Sequence, residues 1–165
     1  MSRGLIDQAM DYLASLPPTN AVAACTMSAT TNMNIASSAW RSLNAFTGYS
    51  KTNDYMNEQY FSSDTNGFKV LHKGVYHITA DAHMTAAAAG NAFGMRIYDY
   101  TSDGQINNAR FAYANGVVWA DFSTETVKEI DANHIILPQW ERYSGSQNWR
   151  PHTATFIIRL IKLVT

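Results

Sequence analysis

A single cysteine, Cys25, leaves this chain unable to close an intrachain disulfide. Sulfur chemistry therefore lends no support to an oxidising compartment. Charge is scarce too. Asp, Glu, Lys and Arg make up 15% of the 165 residues, against about 25% in an ordinary soluble domain. The formal net charge is −1 and the sequence pI about 6.5. No basic stripe is present, so nucleic acid is not an expected partner. No apolar run reaches the roughly 18 residues that signal a membrane span, so no membrane insertion is expected. The first residues lack the basic-then-apolar layout of a secretory leader. Synthesis in a cytoplasm is the expectation, whatever the final address. Enzyme signatures are missing as well: there is no G-x-S-x-G, no Walker loop and no H-E-x-x-H. No catalytic residue, metal or cofactor is expected.

Asn, Ser, Thr and Ala fill the space that charge leaves. Nine tyrosines and four tryptophans add residues that favour strands and contact surfaces. The length suits one domain, large enough to bury roughly 70% of its unfolded surface.

Along the chain, "GLIDQAMDYLASLPP" at 4–18 has the spacing of a helix. Leu5, Ile6, Ala9, Met10, Leu13 and Leu16 form its apolar stripe, and Pro17-Pro18 stop it. The spacing predicts an N-terminal helix within residues 1–18, suited to docking on the domain or on another protein. Residues 19–45 are uncharged apart from Arg41 and show no clean period. They read as an extended arm. From 46 to 165 the pattern is short strands and turns. "GVYHITADAHM" (74–84) alternates strictly. "SDG" after "FGMRIYDYT" and Asn115-Gly116 after "QINNARFAYA" are turn signals, the second a strong hairpin signal. Pro138 inside "HIILPQWERY" predicts a bulge or an edge. Regular strands without helices between them predict an all-β antiparallel sandwich, barrel or jelly roll.

The last strand, "ATFIIRLIKLV" (154–164), is apolar on both faces: Phe156, Ile158 and Leu160 on one, Ile157 and Ile161 with Arg159 on the other. One sheet of a sandwich covers only one face, so a subunit interface is the economical cover for the second.

"GFKVLHKGVYHITADAHM", "EIDANHIIL" and "ATFIIRLIKL" together resemble the tumour-necrosis-factor/C1q-like jelly roll, over roughly residues 46–165. Gly74-Val75-Tyr76 matches the Gly-x-Tyr that opens a central strand in that family. Asn133-His134 stands where its polar turn usually has Gly-Asp. The layout also resembles the heads of bacteriophage fibres and receptor-binding proteins. The resemblance implies a homotrimer. It turns Tyr76, Ile78, Ala80, Ala82 and Met84 into the core. It turns Val75, His77, Thr79, Asp81 and His83 toward the threefold axis, and Thr155, Ile157, Arg159 and Ile161 toward the partner subunits. Arg159 would then approach Asp81 within or across chains.

Spacing weighs on what that polar face is for. Residues two apart in a strand are about 6.6 Å apart and four apart about 13 Å. His77 and Asp81 therefore cannot share a metal whose ligand bonds are about 2.0–2.3 Å. A polar subunit seam is the leading reading. A solvated face and an ion held by a threefold ring of histidines are the alternatives. If the histidines pack against neighbours, charging them in acid should weaken assembly.

Two further groups stand out. "QWERYSGSQNWRPH" (139–152) gathers Trp140, Arg142, Tyr143, Trp149 and Arg150, aromatics and polar groups suited to stacking on sugar rings. The same tryptophans also suit buttressing a loop or seam. "DYTSDGQINN" (99–108) is a weaker candidate loop. Asp99, Asp103, Asp121, Glu125 and Glu129 supply carboxylates that glycoside hydrolysis would need in pairs. The combined expectation is a non-enzymatic virion structural or adhesion protein. Its partners would be two further copies, host-surface saccharide, and other virion proteins met through the N-terminal helix. The alternatives are a non-viral C1q/TNF-like module on a bacterial cell or spore surface, and a cupin-like or glycan-cleaving enzyme.

Overall fold

Alternating apolar residues close two sheets face to face in the computed structural model, which describes residues 21–31, 39–86, 91–107, 110–114, 119–144 and 148–164. The strands are β1 (Val22–Ala29), β2 (Tyr49–Met56), β3 (Phe61–Ser63), β4 (Phe68–Val70), β5 (Gly74–Ala86), β6 (Asn91–Asp99), β7 (Gly104–Gln105), β8 (Arg110–Ala114), β9 (Trp119–Ile130), β10 (Ile135–Ser144) and β11 (Trp149–Leu163). A five-stranded sheet runs β2-β1-β11-β5-β9. A six-stranded sheet runs β3-β4-β10-β6-β7, with β8 also on β6. Every pairing is antiparallel. The chain repeatedly crosses from one sheet to the other, as in a jelly roll. The expected sandwich is therefore present.

The expected facing of β5 and β11 also holds. Tyr76, Ile78, Ala80, Ala82 and Met84 are buried, and so are Phe156, Ile158 and Leu160. Aromatic rings fill the space between the sheets. Phe68 stacks on Phe156 at 6.1 Å, and Trp149 lies between Phe46 at 5.0 Å and Phe93 at 6.0 Å.

The sandwich starts earlier than the sequence pattern suggested. Val22–Ala29, expected within an arm, is a full strand between β2 and β11. Its inward residues Ala23, Cys25, Met27 and Ala29 are buried. The small Ala23, Cys25 and Ala29 and the outward Thr26 and Ser28 blur the contrast that normally marks a strand. The expected helix at 4–18 lies outside the described residues.

Asn115-Gly116 also lies outside them, but its flanking strands do not form the hairpin its sequence suggested. β8 pairs with β6 and β9 with β5, in different sheets. Closing both sheets outweighs the local turn preference. By contrast "SDG" does make a turn: Asp103 adopts φ 54° and Asp99 pairs with Gly104.

Pro138 occupies an edge position, as expected. β4 pairs with β10 only at Ile135 and Ile136, and Arg41 bridges Trp140 farther along. Opposite Pro138, the Ile97 N–H turns away and donates to Asn107 Oδ1 at 2.7 Å. No ladder bond is lost at the proline.

Candidate functional site

The outward face of the five-stranded sheet is built by register. Ala24, Ile157, Thr79 and Glu125 lie in one row across β1, β11, β5 and β9. The next row is Val22, Arg159, His77 and Val127. Farther along, Thr26, Thr155, Asp81 and Ser123 share a row. The residues expected on one face are thus brought together. That face mixes polar groups with apolar ones left in water: Tyr55 is 46% exposed, Val127 58% and Ile161 44%.

Its histidines are paired within the chain. His77 Nε2 lies 3.2 Å from Glu125 Oε2. His83 Nδ1 meets Asp121 Oδ1, and its ring stands edge-on to His152 at 5.9 Å. Sequence reasoning missed these partners because β9 contributes them from about 40 or more residues away, through sheet register. Arg159 lies opposite His77, whereas Asp81 lies opposite Thr155. Four residues of strand, about 13 Å, separate the two positions, so the expected Arg159–Asp81 approach does not occur within a chain. Among the described residues no group of three or more His, Cys, Asp or Glu is placed to hold a metal ion.

The expected saccharide loop is divided differently. Trp140 and Trp149 are both 0% exposed. A ring with no exposed face cannot stack on a sugar, so in this chain both tryptophans are core residues. Arg142 is buried, and Arg150 Nε donates to Thr85 Oγ1 at 3.3 Å. Only Tyr143 of the five presents a large surface, 59% exposed.

The candidate hydrolytic carboxylates are dispersed. Asp121, Glu125 and Glu129 follow at every fourth position of β9, about 13 Å apart, beyond the roughly 5–9.5 Å of glycosidase pairs. Asp103 accepts the Tyr98 hydroxyl, and Glu129 joins Asp131 around Lys73 Nζ, at 3.4 and 3.1 Å. Asp99 is buried. Its Oδ2 meets His134 Nδ1 at 2.6 Å, and its Oδ1 accepts the Thr101 and Ser102 N–H groups at 3.0 and 3.2 Å. Burial alone would push its carboxyl up, but the bonds from His134 and Ser102 outweigh it and hold the pKa below the usual range. Asn133, where the resemblance has glycine, takes φ 70°, which asparagine tolerates. From the end of this turn His134 bonds to Asp99 on the neighbouring strand β6. Cys25 is no nucleophile: burial pushes its thiol up to about 12, with Lys51 opposing and Asp54 adding to the rise.

Two polar clefts flank the β3–β4 turn, and sequence reasoning missed both. One, about 410 Å³, lies between β2 and the end of β3. The other, about 420 Å³, lies between the turn, the Ser42–Asn44 segment and Tyr100. The signal available was the alternation of Tyr49, Lys51 and Asn53 with "SDTNG" (63–67).

No family model matches the chain, and no curated protein matches it. Solved structures do. The globular domain of the zebrafish complement 1qA protein aligns over 86% of this chain and 99% of its own, with 14% identity and a TM-score of 0.54. Murine APRIL at pH 8.0 aligns over 84% and 99%, with 8% identity and a TM-score of 0.55. The PRD1 vertex protein P5 aligns over 86% and 73%, with 14% identity and a TM-score of 0.55. Identities this low speak for fold alone, and on that ground the structure resembles the C1q/TNF-like jelly-roll fold and also the PRD1 vertex protein.

Proposed function

We propose that this chain is a non-enzymatic head domain that assembles as a homotrimer through the outward face of its five-stranded sheet and serves a virion in structure or host attachment, with host-surface saccharide as its ligand. The observation that carries the reading is that face. Tyr55, Val127 and Ile161 are exposed there beside half-buried Ile157 and Ala24, on the sheet that the C1q/TNF resemblance turns toward a threefold axis. These side chains are spread over β2, β11 and β9 across the face, and apolar groups left in water there favour burial against another subunit. The interface would hold Val75, His77, Thr79, Asp81, His83, Ile157, Arg159 and Ile161.

The virion assignment draws on the likeness to the PRD1 vertex protein. The equal likeness to the complement globular domain and to murine APRIL supports a second reading, a non-viral binding module, for which a bacterial cell or spore surface is the proposed place. Tail or capsid genes beside the coding sequence support the first reading, and spore or secretion genes support the second. Crystallography of the assembled oligomer tests the geometry. Threefold particles with His77 beside the axis are expected, and particles that turn this face to solvent contradict the proposal.

A further inference from the structure

β2 is an edge strand. On it Tyr49, Lys51 and Asn53 alternate onto one side, toward the end of β3. Lys51 Nζ caps the core there. It lies 4.5 Å from the Phe68 ring centre and donates to Asn53 Oδ1 at 2.5 Å and Ser63 Oγ at 3.0 Å. The turn that follows braces itself: the Asn66 N–H donates to Asp64 Oδ1 at 3.0 Å, and Asn66 Oδ1 accepts the Asn44 N–H at 2.9 Å. The two clefts adjoin at this turn, whose Asp64 and Thr65 line both, and together they make a groove over it. A tyrosine stands in each arm. Tyr49 is 45% exposed and Tyr100 62% exposed.

From this arrangement we infer that the groove over the Asp64–Asn66 turn binds a short, uncharged oligosaccharide, one sugar ring against Tyr49 and another against Tyr100. This rests on the saccharide-binding reading above and gives it a location. Tyrosine supplies an apolar face for sugar C–H groups and a polar tip. Asn, Ser and Thr side chains both donate and accept, as vicinal hydroxyls require. The single ammonium in the groove is already taken by Asn53 and Ser63 and lies near the Asp64 carboxylate. It therefore gives little extra to an anion, and a neutral ligand is the better match. Asp64 beside the path would repel a sialic acid.

The test uses the full chain, titrated with maltotriose, chitotriose, lacto-N-tetraose and sialyllactose and followed by NMR. At least one neutral saccharide should bind with millimolar or tighter affinity, and more tightly than sialyllactose. Tyr49→Ala and Tyr100→Ala should each weaken it about tenfold, the loss of one aromatic contact. Both side chains are exposed, so the variants should melt like the parent. Binding that survives both substitutions overturns the groove and leaves saccharide recognition standing elsewhere, with Tyr143 the next residue to replace. Preference for sialyllactose overturns the neutral-ligand assignment. Failure of all four to bind overturns both the groove and the saccharide reading, and leaves the oligomer to be judged on its mass.

Discussion

Gly74 lies so close to Leu160 that a Cβ there would meet Leu160 Cδ1 at 2.5 Å and the Lys162 carbonyl oxygen at 2.7 Å. The ladder slips between Leu160 and Lys162, so β11 bulges where β5 begins. Tyr76, two residues on, fixes the same corner by donating from its hydroxyl to the His72 carbonyl at 2.5 Å. The Gly-x-Tyr spacing thus has a local cause: a close backbone approach followed by a buried ring with a tethered tip. Gly74→Ala should lower stability by about 1–3 kcal/mol through overpacking. Urea unfolding checks this, and an unchanged midpoint would mean the corner relaxes freely.

Ile158 is 0% exposed at the centre of β11, between Ala23 and Ile78. Ile158→Asp should cost several kcal/mol, a large part of a domain's total of about 5–15 kcal/mol. Melting like the parent would mean that the strand does not lie between the sheets.

Asp99 makes part of the stability depend on acid. Its carboxyl is held below the unfolded value of 3.8. That contribution is fully present above the unfolded value and is lost as pH falls through the folded one. Denaturant midpoints should therefore drop from about pH 5 downward, and Asp99→Asn should flatten the drop while lowering the plateau at neutral pH. Equal acid slopes in the two proteins would remove Asp99 from the cause.

The strand pattern was legible because β5, β10 and β11 each alternate or run apolar over long stretches. Pro138, Gly74 and the "SDG" turn each report a local backbone need that one residue type meets. What escaped was set by register between distant segments. Nothing within Val22–Ala29 indicates that β11 will lie beside it, and nothing in "QWERY" tells a buttressing tryptophan from an exposed one. Trp140 and Trp149 read as ligand contacts because large aromatics suit stacking on sugar rings, but those are also the side chains that gain most from burial. The groove at Tyr49 and Tyr100 is not legible in the sequence because its two tyrosines lie far apart in the chain and their clefts adjoin only at the β3–β4 turn.

The most direct measurement is mass in solution by light scattering at micromolar concentration, on the parent and on Ile157→Glu. Ile157 is half-buried in a single chain, opposite Thr79 on the outward face. A charge there should spare the core and spoil a subunit contact. The account predicts three times the 18.3 kDa chain mass for the parent, and a single chain mass for Ile157→Glu with a parental circular-dichroism spectrum. A parent that runs as one chain, or an Ile157→Glu trimer as firm as the parent's, would contradict it.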